Sequence, residues 1–191
     1  MDFKEIFIDV ETLGKDAKLN GIGQLSGQVF VNREFKESFN FLRKPLDTEV
    51  IDDEILTYWG MTKDRLMAEG ESSHIVYGKF TRILSKYVDK FSKLDKFVFK
   101  AYNATFDEEF VRELFKKHMD NYYGSWFWNP TVCIMQASMY RFQTERHKFI
   151  NFKQATVAKY LGIEVDETKL HDAQYDISLC VQIENALLDS Q

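Results

Sequence analysis

Proline is nearly absent from this 191-residue chain, at 2 residues, and glycine is held to 9 and cysteine to 2. So little proline and glycine leaves no stretch with the composition of a long linker, and residues 1–191 read as one domain. Cys133 and Cys180 stand 47 positions apart (180 − 133) in apolar surroundings, without the paired spacing of a zinc site. They read as reduced core thiols of a cytoplasmic protein. No run approaches the ~18 apolar residues of a membrane span, and no leader opens the chain, so no membrane partner is expected. Positive charge is short as well: 25 Lys and Arg against 30 Asp and Glu give −5. That excludes a general basic coat for nucleic acid, though not a local groove.

What is there is ordinary globular material, 45% hydrophobic and 29% charged. Residues 3–10 read as a buried strand, and 25–31 and 35–42 as two more, together an antiparallel meander. The acidic stretch Asp47–Glu54 suits the start of a short helix. Over 73–92, Val76, Phe80, Ile83, Leu84, Tyr87, Val88 and Phe91 share one helical stripe. Residues 96–102 predict another buried strand, and 105–118 a helix. Pro130 and Thr131 are expected to start a helix over 132–143, with further helices over 152–161 and 172–188. Strands first, then strand–helix alternation, predict an α/β fold with a mixed sheet.

Charge then falls where burial should exclude it. Asp9 and Glu11 are two apart in the first strand and so share one face. Asp107 lies on the inward stripe of its helix with Phe110 and Val111, while Glu108 and Glu109 are expected in solvent. A helix N-terminus favours an acid in general, which explains acidity there but not the inward face. Asp176 lies on the apolar side of the last helix, and His171 stands about one turn earlier. Four converging carboxylates carry about −4, a charge that two hard cations, Mg²⁺ or Mn²⁺, would cancel with oxygen ligands alone. Two such ions ~3.5–4 Å apart suit a phosphodiester displacement. His171 is then available to take a proton from water.

FIDVET (7–12), YNATFDEEF (102–110) and HDAQYD (171–176) resemble, in order, the three motifs of the DEDDh group of 3′–5′ exonucleases, the group of the epsilon proofreading subunit, RNase T and oligoribonuclease. The likeness runs from about Phe3 to Leu188. It implies an RNase H-like three-layer fold with a five-stranded mixed sheet flanked by helices. It implies that Asp9, Glu11 and Asp176 hold the metals, that Asp107 assists, and that His171 is the general base. Nucleoside 5′-monophosphates would be released. It further implies that Thr12 and Leu13 meet the terminal nucleotide, Leu13 as a wedge against its base, and that Asn103 and Phe106 line the same cleft. The chain departs from the pattern at Tyr102, where His is frequent, and at Thr131, where Asp is frequent and where Thr is expected to cap the following helix.

For the substrate, the basic run 79–100 carries seven Lys and Arg against Asp89 and Asp95, and reads as a solvated helix face or a groove. Arg141, Arg146, Lys148 and Lys153 are the better groove candidate because they join two helices. The aromatic stretch Tyr122, Tyr123, Trp126, Phe127 and Trp128 reads either as a stacking platform for bases or as a lid on the core. The resulting expectation is a metal-dependent 3′–5′ exonuclease on a single-stranded DNA 3′ end. RNA 3′-end trimming or an oligoribonuclease-like activity is the near rival. A non-catalytic nucleic-acid-binding module and a structural calcium site are the others. A DNA polymerase or a second copy is a possible partner.

Overall fold

The computed structural model describes residues 2–170 and 172–189. It opens with an antiparallel meander, β1 (Lys4–Thr12), β2 (Ile22–Val31) and β3 (Glu34–Leu42). The β2–β3 turn is made by Asn32 and Arg33, both at positive φ (52° and 65°), a two-residue turn whose twist suits a hairpin. Two parallel strands complete the sheet, β4 (Val98–Ala101) beside β1 and β5 (Val132–Cys133) beside β4. The order is β3-β2-β1-β4-β5, the mixed five-stranded sheet that the family resemblance implies, with β5 added to the four strands read from the residues.

Helices α1 (Asp53–Tyr58), α2 (Lys63–Glu69) and α3 (Ser73–Tyr87) lie between β3 and β4. After β4 come α4 (Ala104–Lys117), α5 (Tyr123–Trp126), α6 (Ile134–Arg141), α7 (Gln154–Tyr160) and α8 (Ala173–Asp189). Several ends differ from the sequence reading for local reasons. Helix α3 stops at Tyr87 because Val88 turns extended to stay in the core, which leaves Phe91 86% exposed instead of on the buried stripe. Pro130 and Thr131 do not start a helix. β5 intervenes, Cys133 stands at the N-cap of α6, and the Thr131 hydroxyl donates to Glu108 at 3.1 Å. Glu108 is accordingly half-buried and paired with Arg112, not free in solvent. Gly162 at φ 76° ends α7, with the Gly162 amide donating to Lys159 and the Ile163 amide to Ala158, a closure that favours glycine.

Alternation along β1 divides the interior. Ile6, Ile8 and Val10 face α3 and α4, packing with Phe80, Leu84, Val111 and Phe115. Phe7 faces the opposite way, packing with Ile134, Val157, Ile177, Cys180 and Ile183 of α6, α7 and α8. Tyr123, Trp126 and Phe127 are buried in the first of these cores, so the aromatic stretch is mainly a lid, with Tyr122 and Trp128 left at the surface. Both cysteine thiols are free. Glu5, Asp9 and Glu11 share the face of Phe7, at positions where apolar side chains would each contribute ~1.5–3 kcal/mol by burial. Among the described residues no helix is long and apolar enough to cross a membrane.

Candidate active site

β1 outruns its neighbour on one side. β4 pairs only with Glu5–Phe7, so the C-terminal half of β1 opens into a crevice beyond the parallel strand ends, the usual ligand position in such sheets. Asp107, in the first turn of α4, fills part of the space that β4 leaves. Its Oδ1 accepts from the Val10 amide at 3.1 Å, and the side chain is buried. From the other direction α8 brings Asp176. Oxygen atoms of Asp9, Glu11 and Asp176 lie within 4.8 Å of one another, and each of the three residues is half-buried. Asp176 is held by its backbone too, since the Gln154 side-chain Nε2 of α7 donates to its carbonyl at 2.5 Å.

Such crowding is electrostatically unfavourable without a cation. Asp9 is pushed well above the usual carboxylate range by burial and then by Asp107, Asp176 and Asp172. Glu11 rises to about 9, from burial and from Asp9, Asp176 and Asp172. Asp107 rises to about 8 through burial and Glu11, against the opposing pull of the amides it accepts from. A set of oxygen donors that holds protons so strongly when bare is one that a divalent cation would neutralise. The donor chemistry therefore fits Mg²⁺ or Mn²⁺. Asp172 is the contributor that sequence reasoning passed over, although it stands inside HDAQYD. Its Oδ1 accepts from the Tyr175 amide at 3.0 Å and its carbonyl from the Asp176 amide at 2.9 Å, so it starts the helix that delivers Asp176. His171 lies outside the described residues.

Beside the carboxylates lies a cleft of about 570 Å³. Gln24, directly across the ladder from Glu11, forms its floor with Asn40 and Leu42, and Asp172 closes one side. Tyr58, Trp59 and Met61 supply an aromatic and apolar wall, and Arg65 and Lys169 its positive charge. These residues come from loops and short helices without periodicity, which is why sequence reasoning missed them. Thr12 is buried, its hydroxyl donating to the Gly14 carbonyl at 2.7 Å and its own carbonyl accepting from Trp59 Nε1 at 3.2 Å. Leu13 is fully buried with Leu56, Trp59, Met61 and Leu66, and does not itself line the cleft. Asn103 is exposed at the start of α4, and Phe106 packs on Phe110 at 4.9 Å; neither lines this cleft. Arg141, Arg146, Lys148 and Lys153 do not line this cleft. Arg146 donates to the Phe149 carbonyl at 2.5 Å and Lys148 pairs with Glu145 at 2.6 Å. In the run 79–100, Lys79 and Lys86 pair with Glu71 and Glu37, and Lys100 is buried.

Residues 6–183 match the RNase T family model, described as an exonuclease. No curated protein sequence matches the chain significantly. Among solved structures, the zinc-bound complex of E. coli ExoI with single-stranded DNA superposes with a TM-score of 0.78 at 20% identity, over 100% of this chain and 41% of that one. E. coli exonuclease I with a dT13 oligonucleotide gives 0.74 at 22% identity, over 97% and 40%. The ExoI/SSB-Ct complex gives 0.74 at 20%, over 100% and 42%. These likenesses establish an RNase H-like fold, and the chain spans about two fifths of the length of those proteins.

Proposed function

Because the chain belongs to the RNase T exonuclease family, we propose that it is a divalent-metal-dependent 3′–5′ exonuclease that trims single-stranded DNA to nucleoside 5′-monophosphates. The observation that carries this reading is the gathering of Asp9, Glu11 and Asp176 within 4.8 Å, with Gln24, across the ladder from Glu11, and Asp172 lining a cleft of about 570 Å³. Asp9, Glu11 and Asp176 would hold two Mg²⁺ or Mn²⁺ ions, with Asp107 beside them. When bound, such ions supply the positive charge that offsets the phosphodiester and activate the attacking water. Asp107 keeps the end of β1 in place through the Val10 amide, and so sets the spacing of Asp9 and Glu11. Asp172 orients the start of α8, next to His171, whose imidazole would accept the proton of the attacking water. In the cleft, exposed Tyr58 offers a ring on which an unpaired base stacks, and the Gln24 and Asn40 side-chain amides offer hydrogen bonds to a nucleotide. The likeness to E. coli exonuclease I, solved with single-stranded DNA and with dT13, supports DNA over RNA.

The test is digestion of 5′-labelled and 3′-labelled single-stranded DNA with Mg²⁺, Mn²⁺ or EDTA, alongside Asp9→Ala and His171→Ala. The expected result is a metal-dependent ladder shortening from the 3′ end, abolished in Asp9→Ala and slowed ~10²–10⁴-fold in His171→Ala. Trimming of matched RNA alone would move the substrate assignment to RNA. Binding of both without cleavage would overturn the enzymatic reading.

A further inference from the structure

Lys100 is the one basic residue of the 79–100 run that the fold buries. It stands on β4 in register with Phe7, and its ammonium donates to Glu5 of β1 and to Glu184 of α8. All three side chains are buried, and the ammonium lies 5.3 Å from the Phe7 ring centroid. None of the three belongs to the carboxylate site, yet they join the same pair of elements. Glu5 precedes Asp9 by four residues on one face of β1, which is ~13 Å along a strand. Glu184 follows Asp176 by eight residues on α8, which is ~12 Å along a helix. The matching spans mean that α8 runs back along β1 with two polar fastenings, the triad at one end and Asp176 against Asp9 and Glu11 at the other.

We propose that Lys100, Glu5 and Glu184 form a register clamp that holds Asp176 at metal-binding distance from Asp9 and Glu11. This rests on the metal-dependent reading given above. Between the two fastenings α8 meets the sheet through apolar groups, Ile177, Cys180 and Ile183 around Phe7, and apolar contact tolerates sliding. The carboxylates at the far end repel one another until a cation arrives, and the clamp, together with the Gln154 bond to the Asp176 carbonyl, opposes that push on the first turn of α8. Charged hydrogen bonds are directional, and specifying one register is the best-attested use of buried polar groups. Glu5 and Glu184 are positioning residues in this scheme, and Lys100 is the link between them.

Glu184→Leu cuts the tie to α8 while leaving Lys100 paired with Glu5, and Glu184→Gln keeps an oxygen for Lys100 to donate to. Lys100→Met combined with Glu5→Gln severs the clamp from the sheet side, and serves if Glu184→Leu does not fold. Two properties are read on the whole chain: Mn²⁺ binding by electron paramagnetic resonance, and metal-free amide hydrogen exchange in the first turn of α8. Glu184→Leu and the double variant are expected to bind Mn²⁺ roughly 10–100-fold more weakly, the loss usual for residues that orient metal ligands, and to exchange faster. Glu184→Gln should stay near wild type in both. Unchanged Mn²⁺ affinity and exchange in folded Glu184→Leu or double variant would overturn the clamp. Failure of the wild type itself to bind Mn²⁺ would instead overturn the metal-dependent reading, with hydrogen exchange still deciding whether the triad holds the helix.

Discussion

Asp9 carries a charge that its surroundings oppose. It shares its crevice with Glu11 and Asp176, and the charges of Asp107, Asp176 and Asp172 all oppose its ionisation. Removing that charge should therefore have opposite effects on activity and on metal-free stability. Asp9→Asn is expected to abolish 3′-end hydrolysis and, in EDTA at neutral pH, to stabilise the protein by about 0.5–2 kcal/mol, raising Tm by roughly 1–8 °C. Thermal unfolding with and without Mg²⁺ checks this, and a variant that melts lower than wild type in EDTA would show that the site is not strained. Asp9, Glu11, Asp107 and Asp176 were legible in the sequence because each breaks an apolar period. Arg43 and Lys100 were not, since a lone basic residue in a sequence reads as solvated, and only the fold reveals that both are buried.

Segments without regular structure owe their placement to a second buried charge network. Arg43, just past β3, donates to the Ile22 carbonyl, to Ser73 at the start of α3 and to Glu49. Lys117, the last residue of α4, donates to the same Glu49 and to the carbonyls of Ala17 and Asn20. Helix α4 thus presents Asp107 to β1 at one end and secures the loop leaving β1 at the other. Burial acts to raise the Glu49 carboxyl, but Arg43, the Leu46 amide and Lys117 together hold it below its ordinary 4.5. A group lowered on folding stabilises above its unfolded pKa, and that contribution is lost as pH falls through the folded value. Stability should therefore drop below about pH 4.5. Glu49→Gln should flatten that acid limb while costing ~3–5 kcal/mol at neutral pH, because buried Arg43 loses its countercharge. Denaturant melts of both proteins from pH 3 to 7, a range set by the ordinary carboxylate pKa of about 4, provide the comparison. The strands and long helices behind this network follow from periodicity; the loops do not, because hydrogen bonds from distant residues decide their course.

Across the whole molecule the charge balance limits how substrate can be held. With a net charge of −5, the protein repels a polyanion at long range, and the positive groups along the cleft are Arg65 and Lys169. Both are more than half exposed, and each already has an acidic neighbour, Glu69 at 3.0 Å and Asp166 at 3.3 Å. Binding should therefore rest mainly on stacking against exposed Tyr58, at ~1–3 kcal/mol per base, and little on counterion release. For single strands the slope of log K against log salt is about −0.7 per neutralised phosphate, so two contacts give a slope near −1.4. Lys169→Glu should make that slope shallower by about 0.7 and weaken binding similarly for every sequence. Tyr58→Ala should weaken binding while leaving the slope unchanged. Fluorescence anisotropy with a short single-stranded DNA, in Ca²⁺ to restrain cleavage, measures both quantities. A slope several times steeper would place the strand on a basic surface other than this cleft and move the substrate path away from Gln24, Tyr58 and Lys169.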